Sequence, residues 1–155
     1  MFPLGTIFSI VDFAKNYTFV AKNEIQSEYY HSDQVSVLVH ILYRHVEKNV
    51  NDIEITNENQ HVIKEYHFYI NDDHTHDTHF VQHCFDNIYG SLKGHGIKFN
   101  EHWIWSDGRV GQFKSSLSFF SLCRLHNKTH IKHCWNFFET GHGKGEHDGA
   151  KACIK

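Results

Sequence analysis

The stretch that most constrains the fold is Trp103-Ile-Trp-Ser-Asp-Gly-Arg-Val-Gly-Gln-Phe-Lys114, where an apolar run carries a carboxylate to its end and passes at once into a segment with helical spacing. A strand followed directly by a helix requires a sheet with a helix packed against it. Its terminal acid, Asp107, then sits at the carboxyl edge of that sheet, where open α/β sheets bind their ligands. Two other stretches repeat the theme. Ile7-Phe-Ser-Ile-Val-Asp12 closes an apolar run with an acid, and Gly141-His-Gly-Lys-Gly-Glu-His-Asp-Gly149 carries Glu146 and Asp148 in a glycine-rich segment. Acids on three separate elements suggest a shared metal ion.

The elements around these acids alternate between strand and helix. Thr6 to Phe13 is β-branched and aromatic, and Tyr17 to Ile25 resumes after Lys15-Asn16, so the pair reads as a hairpin. Gln34 to Val46 is the strongest strand, with Val35, Val37, Val39, Ile41 and Tyr43 on one face, and completes a three-stranded antiparallel meander. Glu47 to Gln60 is polar and reads as a loop, followed by a strand from Val62 to Ile70 and by Asp72 and Asp73 as helix-capping acids. Phe80, Val81, Cys84, Phe85, Ile88 and Leu92 recur at three and four residues, one buried helical stripe between about Thr75 and Leu92. Ile97 to Trp105 leads to Asp107. Val110, Phe113, Leu117 and Phe120 mark a second helix, and His130 to Phe138 a last strand.

Strand-helix-strand repetition after a meander implies an α/β domain: a mixed sheet of antiparallel and parallel strands flanked by helices, joined by right-handed crossovers. That order of elements is the ribonuclease H-like arrangement. At 155 residues, with a single proline and 15% aromatic residues, the chain suits one domain with one core and no linker.

Charge and cysteine content narrow the function classes. The formal charge of −3 gives no whole-protein attraction for nucleic acid, although 16 histidines make the chain more positive just below neutral pH. Cys84, Cys123, Cys134 and Cys153 form no Cys-x-x-Cys pair and fit reduced thiols. The N-terminus lacks a basic n-region, and no run approaches a membrane span, so the expectation is an intracellular, non-secreted protein without a membrane partner.

Polynucleotidyl transfer by metal uses two divalent ions about 3.5–4 Å apart, and magnesium is held by one or two carboxylates together with substrate phosphates. An isolated Asp before Gly is ordinarily a turn residue or a cap; it is the recurrence at strand ends that points to chemistry.

Four blocks carry a resemblance: Val11-Asp-Phe-Ala-Lys-Asn16, Lys22-Asn-Glu-Ile-Gln-Ser27, Trp105-Ser-Asp-Gly-Arg-Val-Gly-Gln-Phe-Lys114 and Trp135-Asn-Phe-Phe-Glu-Thr-Gly-His-Gly-Lys-Gly-Glu-His-Asp-Gly149. In that order they resemble the DDE-type, ribonuclease H-like transposases and transposase-derived proteins of animal genomes. The resemblance implies a nuclear or intracellular nuclease or recombination core that cleaves or joins DNA, with Asp12, Asp107 and Asp148 as catalytic acids holding two Mg2+ or Mn2+ ions and Glu146 as the substitute third acid. It also implies His142 and Lys144 as phosphate or substrate contacts, DNA as partner and self-association as an option; Arg109 and Lys114, which follow Asp107 on the same helix start, are basic residues that could flank the acids and meet phosphate. Lys15 departs from the acid the family carries there. Lys155 follows Asp148 closely, which reads as a core truncated at its C-terminus and lacking a DNA-binding module.

Two readings from other classes stand beside this one. The first is a catalytically inactive, domesticated module that binds nucleic acid or protein. The second is a zinc site at His74, His76, His79 and His83, where His79 and His83 share one helical face at i, i+4, with His130, His133 or Cys134 as a further ligand.

Overall fold

The structure, a computed structural model, describes residues 2–14, 16–18, 34–46, 56, 60–72 and 76–139. Its elements are β1 (Thr6–Phe13), β2 (Tyr17–Thr18), β3 (Gln34–His45), β4 (Val62–Asn71), α1 (Thr78–Gly94), β5 (Glu101–Ser106), α2 (Ser116–Thr129) and β6 (Lys132–Phe137). His40 of β3 pairs with Val11 on one side and His67 on the other, so β1 and β4 flank β3. The five long strands therefore run β4-β3-β1-β5-β6, and the molecule is an α/β domain on a mixed sheet. The β4, β3 and β1 pairings are antiparallel, whereas β1 with β5 and β5 with β6 are parallel.

The meander predicted from sequence exists, but it is built from different strands. Tyr17 and Thr18 pair with Val35 and Gln34 of β3, not with β1, and β1 pairs with β3 directly. At twelve residues β3 is long enough to hold both, and a bond from the Ala14 amide to the Val37 carbonyl (2.8 Å) carries β1 toward β2. Alternation marks a strand without naming its neighbour, which is why a hairpin was the natural reading. Residues 19–33, most of the expected second hairpin arm, lie outside the described residues.

Both helices pack on one face of the sheet. Val11, Phe13, Leu38 and Ile104 from the strands meet Val81, Cys84 and Phe85 of α1, with Leu122 of α2 and Trp135 and Phe137 of β6 closing the cluster. Helix α1 follows its expected stripe, burying Val81, Cys84, Phe85, Ile88 and Leu92. Its cap is Asp77, whose carboxylate accepts the Phe80 amide at 2.9 Å, and not Asp72 or Asp73. At the other end Gly96 takes φ +73°, a left-handed angle that suits glycine, and Ile97 bonds back to the Leu92 carbonyl. Strand β5 begins only at Glu101; Asn100 leads into it, its amide donating to the Gly5 carbonyl at 2.9 Å.

The segment after Asp107 is not yet helical. Residues 110–113 form a turn, and α2 starts at Ser116 behind the Ser115 cap. Of the expected stripe only Phe113 is fully buried, facing Phe13 and Trp135, while Val110, Leu117 and Phe120 are exposed. Helix α2 forms from Ser116, but its buried side is not the expected stripe: Ser118 is buried, and Leu122, not Leu117 or Phe120, packs on the core.

Candidate functional site

The parallel register of β1 and β5 positions the first two acids. Val11 pairs with Ser106, the last matched residues of the two strands. Asp12 and Asp107 each follow by one residue. Neighbouring strands lie about 4.8 Å apart, so the two acids emerge side by side at the carboxyl edge. Asp12 pairs with Val39 of β3, which lies in the cluster of Ile10, Val37 and Ile41 on the sheet face away from the helices. The Asp107 side chain is 44% exposed and receives the Arg109 guanidinium at 3.2 Å. Asp107 is thus open to water and to a ligand, and Asp12 is half-buried at the same edge.

His76 completes this edge. It precedes α1 and stacks on Phe13, with ring centroids 4.4 Å apart at 12°. Burial holds its pKa below the ordinary value, the Arg109 charge lowers it further, and Asp12 pulls in the opposite direction. Those influences place His76 within electrostatic reach of both Arg109 and Asp12, and its Nε2 is buried without a hydrogen-bond partner. The sequence reading assigned His76 to a histidine cluster; the signal that would have found it here is its place just before a helix cap next to the end of β1. Lys114 lies over the Phe137 ring at 5.6 Å, at the end of the next parallel strand.

Among the described residues the sequence-based zinc site is not assembled. His79 and His83 are exposed on α1, and His76 turns to Phe13. Among the described residues no three His, Cys, Asp or Glu side chains are grouped to hold a metal ion. His74, the third-acid candidates Asp148 and Glu146, and the basic-block residues His142 and Lys144 lie outside the described residues.

A second polar cluster lies inside the core. Ser9 Oγ is 2.7 Å from Nε2 of both His40 and His102. His102 Nδ1 bonds the Tyr89 hydroxyl, which lies 3.0 Å from His133 Nε2. Ser9, His40 and His102 are fully buried, and Phe85 of α1 packs edge-on against both histidines. Burial is the main cause that pushes His40 down to about 3 and His133 to about 4, with His102 also well below its ordinary value. These imidazoles are neutral. Each therefore carries one N–H, and the serine and tyrosine hydroxyls relay the bonds in one direction along the chain. Sequence reading missed it because His40, His67, His102 and His133 fall on four different strands, and only the register lines them up.

Cys84 is buried, its pKa pushed up to about 12 chiefly by burial, and Cys123 and Cys134 are exposed free cysteines. No helix among the described residues is long and apolar enough to cross a membrane.

Fold and edge together define an α/β domain with paired carboxylates where two central parallel strands end. Residues 2–155 match the model of a family described as a domain of unknown function, DUF8701, and the chain belongs to that family. No curated protein and no solved structure matches it.

Proposed function

We propose that this chain is a ribonuclease H-like, DDE-type polynucleotidyl transferase or nuclease core, acting on DNA phosphodiesters. The observation that carries the reading is the placement of Asp12 and Asp107 one residue beyond the paired Val11 and Ser106, on adjacent parallel strands. The strand order β4-β3-β1-β5-β6, with the first strand central, supports the ribonuclease H-like assignment.

The donor set suits Mg2+ or Mn2+, because it offers hard carboxylate oxygens. Asp12 and Asp107 would hold the metal, with Asp148 or Glu146 as the third acid. When bound, two such ions activate the attacking oxygen of water or a DNA 3′-hydroxyl and stabilise the leaving oxygen. The chain's own residues prepare that reaction. The two carboxylates would hold the ions that meet the scissile phosphate, Arg109 and Lys114 offer cations to its neighbours, and neutral His76 leaves Arg109 as the charge beside the acids.

A second reading, a non-catalytic binding module derived from such an enzyme, is favoured by the Arg109 contact, which occupies one oxygen of Asp107. Calorimetric titration of manganese into metal-free protein, paired with nicking of supercoiled DNA, separates the two. Binding and nicking that disappear together in the Asp12→Asn, Asp107→Asn protein support the enzyme. Nicking unchanged in that variant overturns it, and DNA binding without nicking by the parent supports the module.

A further inference from the structure

Between α1 and α2 the sheet is left partly uncovered. Both helices lie on the face that carries Ile104 and Trp135, and α2 contributes Ser118 and Ser121 to the gap, side chains too short to close it. The result is a cleft of about 100 Å3, floored by Val81, Phe85, Ile104, Leu122 and Trp135. One buried water needs about 10–15 Å3, so the cleft has room for several waters or for one small molecule in their place. A drug-sized ligand, which takes about 300–1,000 Å3, would not be enclosed. None of Asp12, Asp107 and Arg109 lines this cleft, so it is separate from the carboxylate edge.

The two walls carry polar groups of opposite character. On α1, Gln82, Asp86 and Tyr89 recur at i, i+4 and i+7, and on α2, Ser121, Arg124, Leu125 and Lys128 recur at i, i+3, i+4 and i+7, so each set shares one helical face. Gln82 Nε2 is buried and has no hydrogen-bond partner. Buried donors are nearly always satisfied, so this one calls for an acceptor in the cleft. Asp86 stands exposed on one wall and Arg124 and Lys128 on the other, and among the described residues they form no ion pair with one another. We infer that the cleft binds a free α-amino acid with an apolar side chain. Its carboxylate meets Arg124 and Lys128 and accepts from Gln82 Nε2, its ammonium faces Asp86, and its side chain lies on the floor of Phe85 and Trp135. A plain carboxylic acid leaves Asp86 opposing it, and a plain amine leaves two cations opposing it. A ligand with both charges on one carbon answers each wall, and the apolar floor keeps water from the charged hydrogen bonds.

Titration of leucine into the full chain, followed by calorimetry and by NMR of the Gln82 side-chain amide, tests the assignment. Leucine should bind more tightly, by about tenfold or more, than isocaproate, which lacks the ammonium, and than isoamylamine, which lacks the carboxylate, since a hydrogen bond to a charged group is worth about a factor of ten. Asp86→Asn should weaken leucine by about tenfold and leave isocaproate at least as tight as in the parent, a split that a general loss of structure does not produce. Arg124→Gln should weaken leucine and isocaproate together. Gln82→Met, which keeps the chain length and removes the amide, should do the same. Isocaproate that binds as tightly as leucine takes Asp86 out of the site and overturns the amino-acid assignment. A Gln82 amide that stays still, with no heat released, for both leucine and phenylalanine leaves that donor to ordered water and overturns the proposal.

Discussion

Two polar clusters share the central strand of this sheet and behave in opposite ways. Ser9 and Asp12 are three residues apart on β1. Ser9 faces the helices and is sealed with His40 and His102, while Asp12 lies on the other face at the strand's end, beside the partly exposed Asp107. A polar side chain under α1 must find its partners inside the protein, so its hydrogen bonds are fixed and its ionisation is suppressed. The partly exposed Asp107 at the strand end keeps its water and can exchange it for a cation. Face and position along the strand therefore decide which cluster is scaffold and which is site.

The sharpest way to break this contrast is to neutralise the edge. Asp107→Asn should reduce metal-dependent cleavage by about 10²-fold or more, since removing only an outer partner of a metal ligand already costs 10–100-fold. Its effect on thermal unfolding should be small, because the ion pair lost with Arg109 is solvent-exposed. Cleavage that survives the substitution would remove Asp107 from the chemistry. The interior cluster should respond in the reverse sense. His102→Ala leaves a cavity and takes one partner each from Ser9 and Tyr89, which keep His40 and His133, so it should destabilise the fold by about 2–5 kcal/mol by urea unfolding while manganese affinity stays at the parent's value.

The legibility of the two clusters in the sequence differs for a physical reason. Asp12 and Asp107 were readable because an acid ending an apolar run is a local pattern, and the strand-helix-strand order set their two strands parallel in one sheet. The stripe of α1 was readable for the same reason. The histidine chain was not, since His40, His102 and His133 occupy ordinary strand positions and become a unit only through pairing between residues up to 93 apart in sequence. The partner of β2, the cap at Asp77 and the buried side of α2 were also hidden, because each depends on a turn whose geometry the flanking residues do not encode alone.

Acid should sharpen the comparison further. In the unfolded chain these histidines ionise near 6.5, whereas burial in the fold pushes His40 down to about 3, His133 to about 4 and His102 well below its ordinary value. Between those limits the unfolded chain takes up protons that the native chain refuses. The stability contributed by neutral burial is present in full above pH 6.5 and is lost as pH falls toward 4. Each fully buried histidine contributes a slope of about 1.4 kcal/mol per pH unit, so His40 and His102 together give about 3. Urea unfolding at pH 7, 6 and 5 measures the slope directly. A flat profile would mean that the chain takes up protons without opening.

The smallest effect expected here is at the edge, and it tests whether His76 belongs there. Arg109→Ala removes a cation that lowers the His76 pKa, so the imidazole should titrate at higher pH than in the parent. It should still titrate below its ordinary value, because burial is the larger cause and the stack on Phe13 is untouched. Titration followed by NMR of the His76 ring protons reads the shift, with exposed His79 and His83 on α1 as controls in the same spectra. The loss of the Arg109 and Asp107 contact should cost at most about 1 kcal/mol of stability, as both side chains are solvent-exposed. If His76 does not move while the controls also stay still, Arg109 is too distant to share a site with it, and the edge reduces to the two carboxylates. If His76 moves upward and manganese binding strengthens in the same variant, Arg109 is a competitor for Asp107, and the ion pair becomes the switch between a closed binding module and an open metal site.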